Sequence, residues 1–156
     1  MQPTRTLTAH CTLSHPADGQ PLLTIDNEHA KAEISLFGAH VLRYQRHSEP
    51  ASLWLSDKAV LDGSKPIRGG IPLCWPWFGP APARVGSGKP AHGFARTSLW
   101  TLDGVSDHGD GTLVHLSLRD TDASRALWPH AFELELDVLV GKELSLVLTT
   151  RNTGKT

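Results

Sequence analysis

Cysteine is scarce. Only Cys11 and Cys74 occur in 156 residues, far apart and without the paired spacing of a metal site. Behind an N-terminus that has no apolar signal segment, two such cysteines read as reduced thiols rather than a disulfide. An excess of either charge is missing too. Fifteen Lys and Arg stand against sixteen Asp and Glu, a net charge of −1, which supplies no overall basic field for a nucleic-acid partner. No apolar run is long enough to span a bilayer. Neither a Gly-x-x-x-x-Gly-Lys loop nor a Gly-x-Ser-x-Gly elbow is present. The nine histidines, among them His40, His47, His108 and His115, scatter without zinc-type spacing. These absences leave a soluble, cytoplasmic chain with no metal and no cofactor, long enough for one domain over residues 1–156.

Helical periodicity is also in short supply. Ala123–Trp128 has room for one turn before Pro129 ends it. Fourteen glycines and eleven prolines suit sheets joined by turns. Period-two alternation is the dominant signal. It is clearest in Ala131–Val140, where Phe132, Leu134, Leu136, Val138 and Val140 share one face and Glu133, Glu135 and Asp137 the other. Gly141-Lys142 reads as a tight turn into a strand over Glu143–Thr150, and Thr112–Arg119 alternates in the same way. Shorter strands are predicted at Leu22–Asp26, Lys31–Phe37, His40–Gln45 and Ser52–Leu55. The expected fold class is all-β, an antiparallel β-sandwich. Trp54, Trp100 and Trp128 are expected in its core.

Asp57–Pro90 breaks the pattern. A stretch that long without alternation is uncommon unless it has a function or is disordered. It contains Lys65-Pro-Ile-Arg-Gly-Gly-Ile-Pro-Leu-Cys-Trp-Pro-Trp-Phe-Gly79, followed by Ala91-His-Gly-Phe-Ala-Arg96. Arginines offer a fixed fork of donors to a phosphate or carboxylate, and aromatic faces suit the C–H faces of sugars. Arg68 and Arg96 are therefore the candidate anion ligands, and His92 a candidate donor to a sugar hydroxyl or ring oxygen. Gly69-Gly70 lets backbone approach a ligand closely. Trp75 or Trp77 is as well suited to line the pocket as to fill the core, and Trp75-Pro76 is a candidate cis bond. If residues 92–96 form a strand, His92, Phe94 and Arg96 share a face, so either Gly93 bulges or Phe94 packs beside the site.

Pro66–Gly79 and His92–Arg96 together resemble the signature of the hexose-6-phosphate mutarotases, a branch of the aldose 1-epimerase (galactose mutarotase-like) family. Leu36-Phe-Gly-Ala-His-Val41, Leu53-Trp-Leu-Ser56 and Trp128-Pro-His-Ala-Phe132 are similar to further segments of that branch. The resemblance runs from about Ala32 to the last residue. It implies a large β-sandwich and interconversion of the α and β anomers of a hexose 6-phosphate, with no cofactor. It also implies that Arg68 and Arg96 face the 6-phosphate, that His92 orients the sugar, and that the acid/base His and Glu lie beyond Thr156. On that reading this chain is the N-terminal portion of a longer domain and carries no catalytic residue of its own. Two alternatives stay open: a non-catalytic sugar-phosphate or carbohydrate-binding module, and an assembly piece that self-associates through the open C-terminal strand.

Overall fold

The computed structural model describes residues 3–156. It contains nine strands: β1 Arg5–Thr8, β2 Cys11–Ser14, β3 Leu22–Asp26, β4 Ala30–Ser35, β5 His40–Arg46, β6 Thr101–His108, β7 Gly111–Arg119, β8 Phe132–Gly141 and β9 Leu144–Asn152. Two antiparallel meanders result, β1-β2-β3-β4-β5 and β6-β7-β8-β9. Fold class and the alternating strands follow the sequence reading. The exception is Ser52–Leu55, which contributes only a bridge between Leu55 and Gly69. A short helix, α1 Asp122–Leu127, starts from a capping box in which Thr121 and Ser124 bond each other's backbone N–H.

The sandwich closes because each sheet has one apolar face. β8 buries Phe132, Leu134, Leu136, Val138 and Val140 against Leu23, Ile25, Ala32 and Ile34 of the opposite sheet, in one cluster that also takes in Trp77, Phe94 and Trp100. Asn27 pins the sheets together. Its Nδ2 donates to Thr112 Oγ1 (3.0 Å) and to the Val140 carbonyl (2.8 Å), while its Oδ1 accepts from His29 N and Ala30 N. Tyr44 adds a second tie, its hydroxyl donating to the Gly141 carbonyl at 2.7 Å.

The long segment from Asp57 to Pro90 forms no strand and no α-helix, only one 3₁₀ turn at Ala83–Val85. It is nevertheless anchored. Ile67 is buried with Phe37 and Leu42 in a second cluster on the outer face of the first sheet, with Leu55, Ala59 and Leu61 packed around them. Burial of a side chain of that size contributes about 1.5–3 kcal/mol and fixes the position of its neighbour Arg68. Trp100 is core, and Trp128 packs against the core cluster from a partly buried position, beside Trp75 and Phe132. Trp54 is not core: it is 71% exposed, because the chain there is held by its backbone carbonyl, which accepts from Gly70 N at 2.8 Å.

Candidate functional site

Arg68, His92 and Arg96, far apart in the chain, line one cleft of about 520 Å³, together with Lys58, Val60, Lys65, Pro66 and Ile67. That volume falls within the range of about 300–1,000 Å³ typical of small-molecule sites. Four cations and a histidine surround the space, and none of the lining residues is a carboxylate. Such a rim is suited to an anion with several acceptor oxygens.

Local sequence explains how the residues converge. Gly69 and Gly70 bring their backbone hard against neighbouring backbone; a Cβ at Gly70 would lie 2.2 Å from the Val41 carbonyl oxygen, and one at Gly69 2.6 Å from that of Trp54. Their smallness thus serves docking of the Arg68 loop, Gly70 on β5 and Gly69 on residues 54–56. Residues 92–96 do not form a strand. His92 has a left-handed backbone (φ 63°) and Ala95–Thr97 is a 3₁₀ turn. The backbone curls, so His92 and Arg96 both reach the cleft while Phe94 packs in the core. Arg96 is tethered by a bond from Nη2 to the Ala91 carbonyl at 3.1 Å.

His92 is clamped from two directions. Its N–H donates to the Gly79 carbonyl (2.8 Å), and the Gly79 N–H donates back to its Nδ1 (3.0 Å). An Nδ1 that accepts leaves the proton of the neutral ring on Nε2, so this ring is a hydrogen-bond donor through Nε2. Phe78 stands edge-on to it, centroids 4.8 Å apart, and is 80% exposed. An exposed aromatic beside a polar donor is suited to the apolar face of a sugar.

Trp75 does not join this cleft. It packs T-shaped against Phe94 (6.0 Å) and Trp128 (5.3 Å), and lines a different cavity of about 350 Å³ with Phe132, Thr150 and Asn152. The Trp75–Pro76 peptide is cis, and the Trp75 carbonyl accepts from both Phe94 N and Ala95 N. Trp75 therefore holds the His92–Arg96 turn from behind. Lys58 and Lys65 escaped sequence reasoning as site residues; exposed lysines in a loop carry no pattern, although both lie in the unpatterned stretch. His40, read as one of the scattered histidines, is fully buried behind the cleft with its Nε2 2.6 Å from the Gly69 carbonyl. Burial holds its pKa below the ordinary value of 6.5; the Gly69 bond opposes this and the Arg96 charge adds to it. Among the described residues no three His, Cys, Asp or Glu side chains come together as a metal site would require.

The two-sheet antiparallel sandwich is a fold that this chain shares with galactose mutarotase-like proteins. A solved galactose mutarotase-like protein from Clostridium acetobutylicum shares this fold with a TM-score of 0.69 over 90% of this chain and 47% of its own, at 18% identity. The chain belongs to the aldose 1-epimerase family, whose model matches residues 21–156. A protein of Escherichia coli (strain K12) that carries the provisional name glucose-6-phosphate 1-epimerase is 37% identical over 139 residues, which is 89% of this chain and 46% of that protein. The crystal structure of YeaD from Salmonella typhimurium, provisionally a mutarotase, matches with a TM-score of 0.89 and 35% identity over 96% of this chain and 50% of that one. The chain thus spans about half the length of the relatives it matches. Among the described residues no helix is long and apolar enough to cross a membrane.

Proposed function

We propose that this chain supplies the substrate-holding part of a hexose-6-phosphate mutarotase, which interconverts the α and β anomers of glucose 6-phosphate. The observation that carries the reading is the cleft in which Arg68, Arg96, Lys58 and Lys65 surround His92 with no carboxylate in the lining. A phosphate dianion is the substrate group that such a rim favours. Arg68 and Arg96 bind the 6-phosphate, His92 donates through Nε2 to a sugar oxygen, and Phe78 offers its exposed face to the ring. Opening the sugar ring requires an acid at the ring oxygen and a base at the anomeric hydroxyl. A base is the missing element in this cleft, because the Nδ1 of His92 is already occupied by Gly79. Both groups are assigned to a His and a Glu beyond Thr156. The free thiols of Cys11 and Cys74 support a reducing, cytoplasmic setting.

The same absence of a carboxylate favours a second reading, a binding module that holds a sugar phosphate without turning it over. A further proposal concerns assembly. β9 is an edge of its sheet and exposes Val147 and Leu148, which suits pairing with the same strand of a second copy.

Magnetisation-exchange NMR between the anomers of glucose 6-phosphate, with glucose as control, tests these readings. Faster exchange for the phosphorylated sugar supports the mutarotase and puts an acid and a base within these 156 residues. Selective line broadening without exchange supports the substrate-holding part alone. Each charge-assisted bond is worth about 1.5–3 kcal/mol, so Arg68→Ala and Arg96→Ala each weaken glucose 6-phosphate by about ten-fold or more. Equal losses for glucose and its phosphate remove the phosphate role.

A further inference from the structure

His40 opens β5 with 0% exposure, yet its chemistry is polar. The segments that carry the two arginines pack against this region. A Cβ at Gly70 would lie 3.1 Å from the His40 ring, and a Cβ at Gly38 would lie 2.6 Å from the Arg96 carbonyl oxygen. The Gly38 N–H also donates to Ser98, two residues beyond Arg96, at 2.7 Å.

The Nε2 of His40 is bonded to the Gly69 carbonyl, adjacent to Arg68. A carbonyl only accepts, so Nε2 carries the proton and Nδ1 is a bare acceptor. That Nδ1 is sealed from solvent and has no partner. One other buried side-chain atom among the described residues shares this condition, the Nε of Arg96. It is an N–H and only donates. A buried donor or acceptor without a partner is strongly destabilising. Two of opposite kind are relieved together by one enclosed water that accepts from one and donates to the other.

We propose that His40 is a positioning residue that ties both arginine-bearing segments together: Nε2–H holds the Arg68 loop through Gly69, and Nδ1 holds the Arg96 guanidinium through its Nε–H and one enclosed water. The proposal rests on the reading of the cleft as a phosphate site, because its effect is to set the spacing of two guanidinium groups that a single phosphate engages at once. His40 itself does not touch the substrate. Burial and the nearby Arg96 charge both keep the ring neutral, as the arrangement requires.

Nitrogen-15 NMR of the 156-residue chain tests the ring directly. The expected spectrum shows a protonated Nε2 and an unprotonated Nδ1 for His40, and an Arg96 Nε–H that exchanges slowly with water. A protonated Nδ1 or a freely exchanging Arg96 Nε–H overturns the proposal, and neither measurement needs a variant to fold. Titration with glucose 6-phosphate then compares wild type, His40→Phe, Arg96→Ala and the double variant. His40→Phe is expected to weaken binding about ten-fold and to release the Arg96 Nε–H to exchange, while the double variant loses less than the two single losses combined, because the Arg96 link is broken only once and the hold on the Arg68 loop remains to be lost. Additive losses overturn the positioning role. If Arg96→Ala leaves binding unchanged while the NMR signature stands, the phosphate reading fails and the buried link survives.

Discussion

Gly93 and Gly79 flank the clamped His92 and provide a matched pair of perturbations. Both have left-handed backbones, with φ of 70° and 73°. At Gly79 an added Cβ meets nothing within 4 Å; at Gly93 it would lie 2.0 Å from the Trp75 carbonyl oxygen. Gly79→Ala therefore incurs conformational strain alone, about 1–2 kcal/mol. A stiffer unfolded chain offsets about 0.4–1 kcal/mol of it, leaving a net loss of about 1 kcal/mol. Gly93→Ala incurs the same strain and must also push two backbones apart. The Trp75 carbonyl accepts from Phe94 N at 3.0 Å and from Ala95 N at 3.2 Å, and a shift of an ångström breaks both bonds. At about 1 kcal/mol each, the net loss rises to about 3 kcal/mol. Urea unfolding followed by tryptophan fluorescence measures both variants, with the slope m expected to stay unchanged. Stabilities that agree within about 0.5 kcal/mol refute the steric reasoning, because only Gly93 faces a carbonyl. A change in m instead shows that the variant altered the unfolded or native ensemble.

Asn27→Ala removes four hydrogen bonds at once and strands the buried Ala30 N–H, so urea unfolding is expected to show a loss of about 3 kcal/mol; a loss below about 1 kcal/mol removes its role as the tie between sheets. The depressed pKa of His40 makes the unfolded chain the better proton binder below pH 6.5, so stability falls as pH drops through the window beneath that value. His40→Phe should flatten this slope in a pH series of unfolding curves, and an unchanged slope assigns it to other groups. Burial, with Asp107 adding to it, pushes the Cys11 thiol up to about 11, so iodoacetamide at pH 8 is expected to label Cys74 in the native protein and Cys11 only after unfolding. Native labelling of Cys11 shows that this end of the first sheet opens.

The strands that were legible in the sequence have strict alternation between a buried and a solvated face, as β8 does with Phe132 to Val140 against Glu133 to Asp137. β1 and β2 went unread because each has four residues, and the Thr and Ser among them carry little hydrophobic signal. β6 was hidden by the register shift between Leu102 and Gly104, which breaks the period. In the cleft, Arg68, His92 and Arg96 stood out because rigid Gly and Pro backbone surrounds them. His40 did not, since a histidine among apolar residues signals neither which nitrogen is bonded nor what lies behind it. Trp54 was misplaced because Leu53-Trp-Leu55 reads as core, whereas the fold uses that segment for its backbone bonds.

The cation-lined cleft has a consequence for the resting protein. Arg68, Arg96, Lys58 and Lys65 share one rim with no counter-charge in the lining, so their like charges repel one another. At physiological ionic strength that repulsion reaches about 8 Å before salt screens it. Any small oxyanion relieves it, whether or not a sugar is attached. On the proposed reading, inorganic phosphate and sulfate are expected to compete for the rim, and preference for a sugar has to come from groups other than these cations, such as the Nε2 donor of His92. On that reading the cations set the strength of capture, and the choice between a bare anion and a phosphorylated sugar falls to the neutral donors beside them.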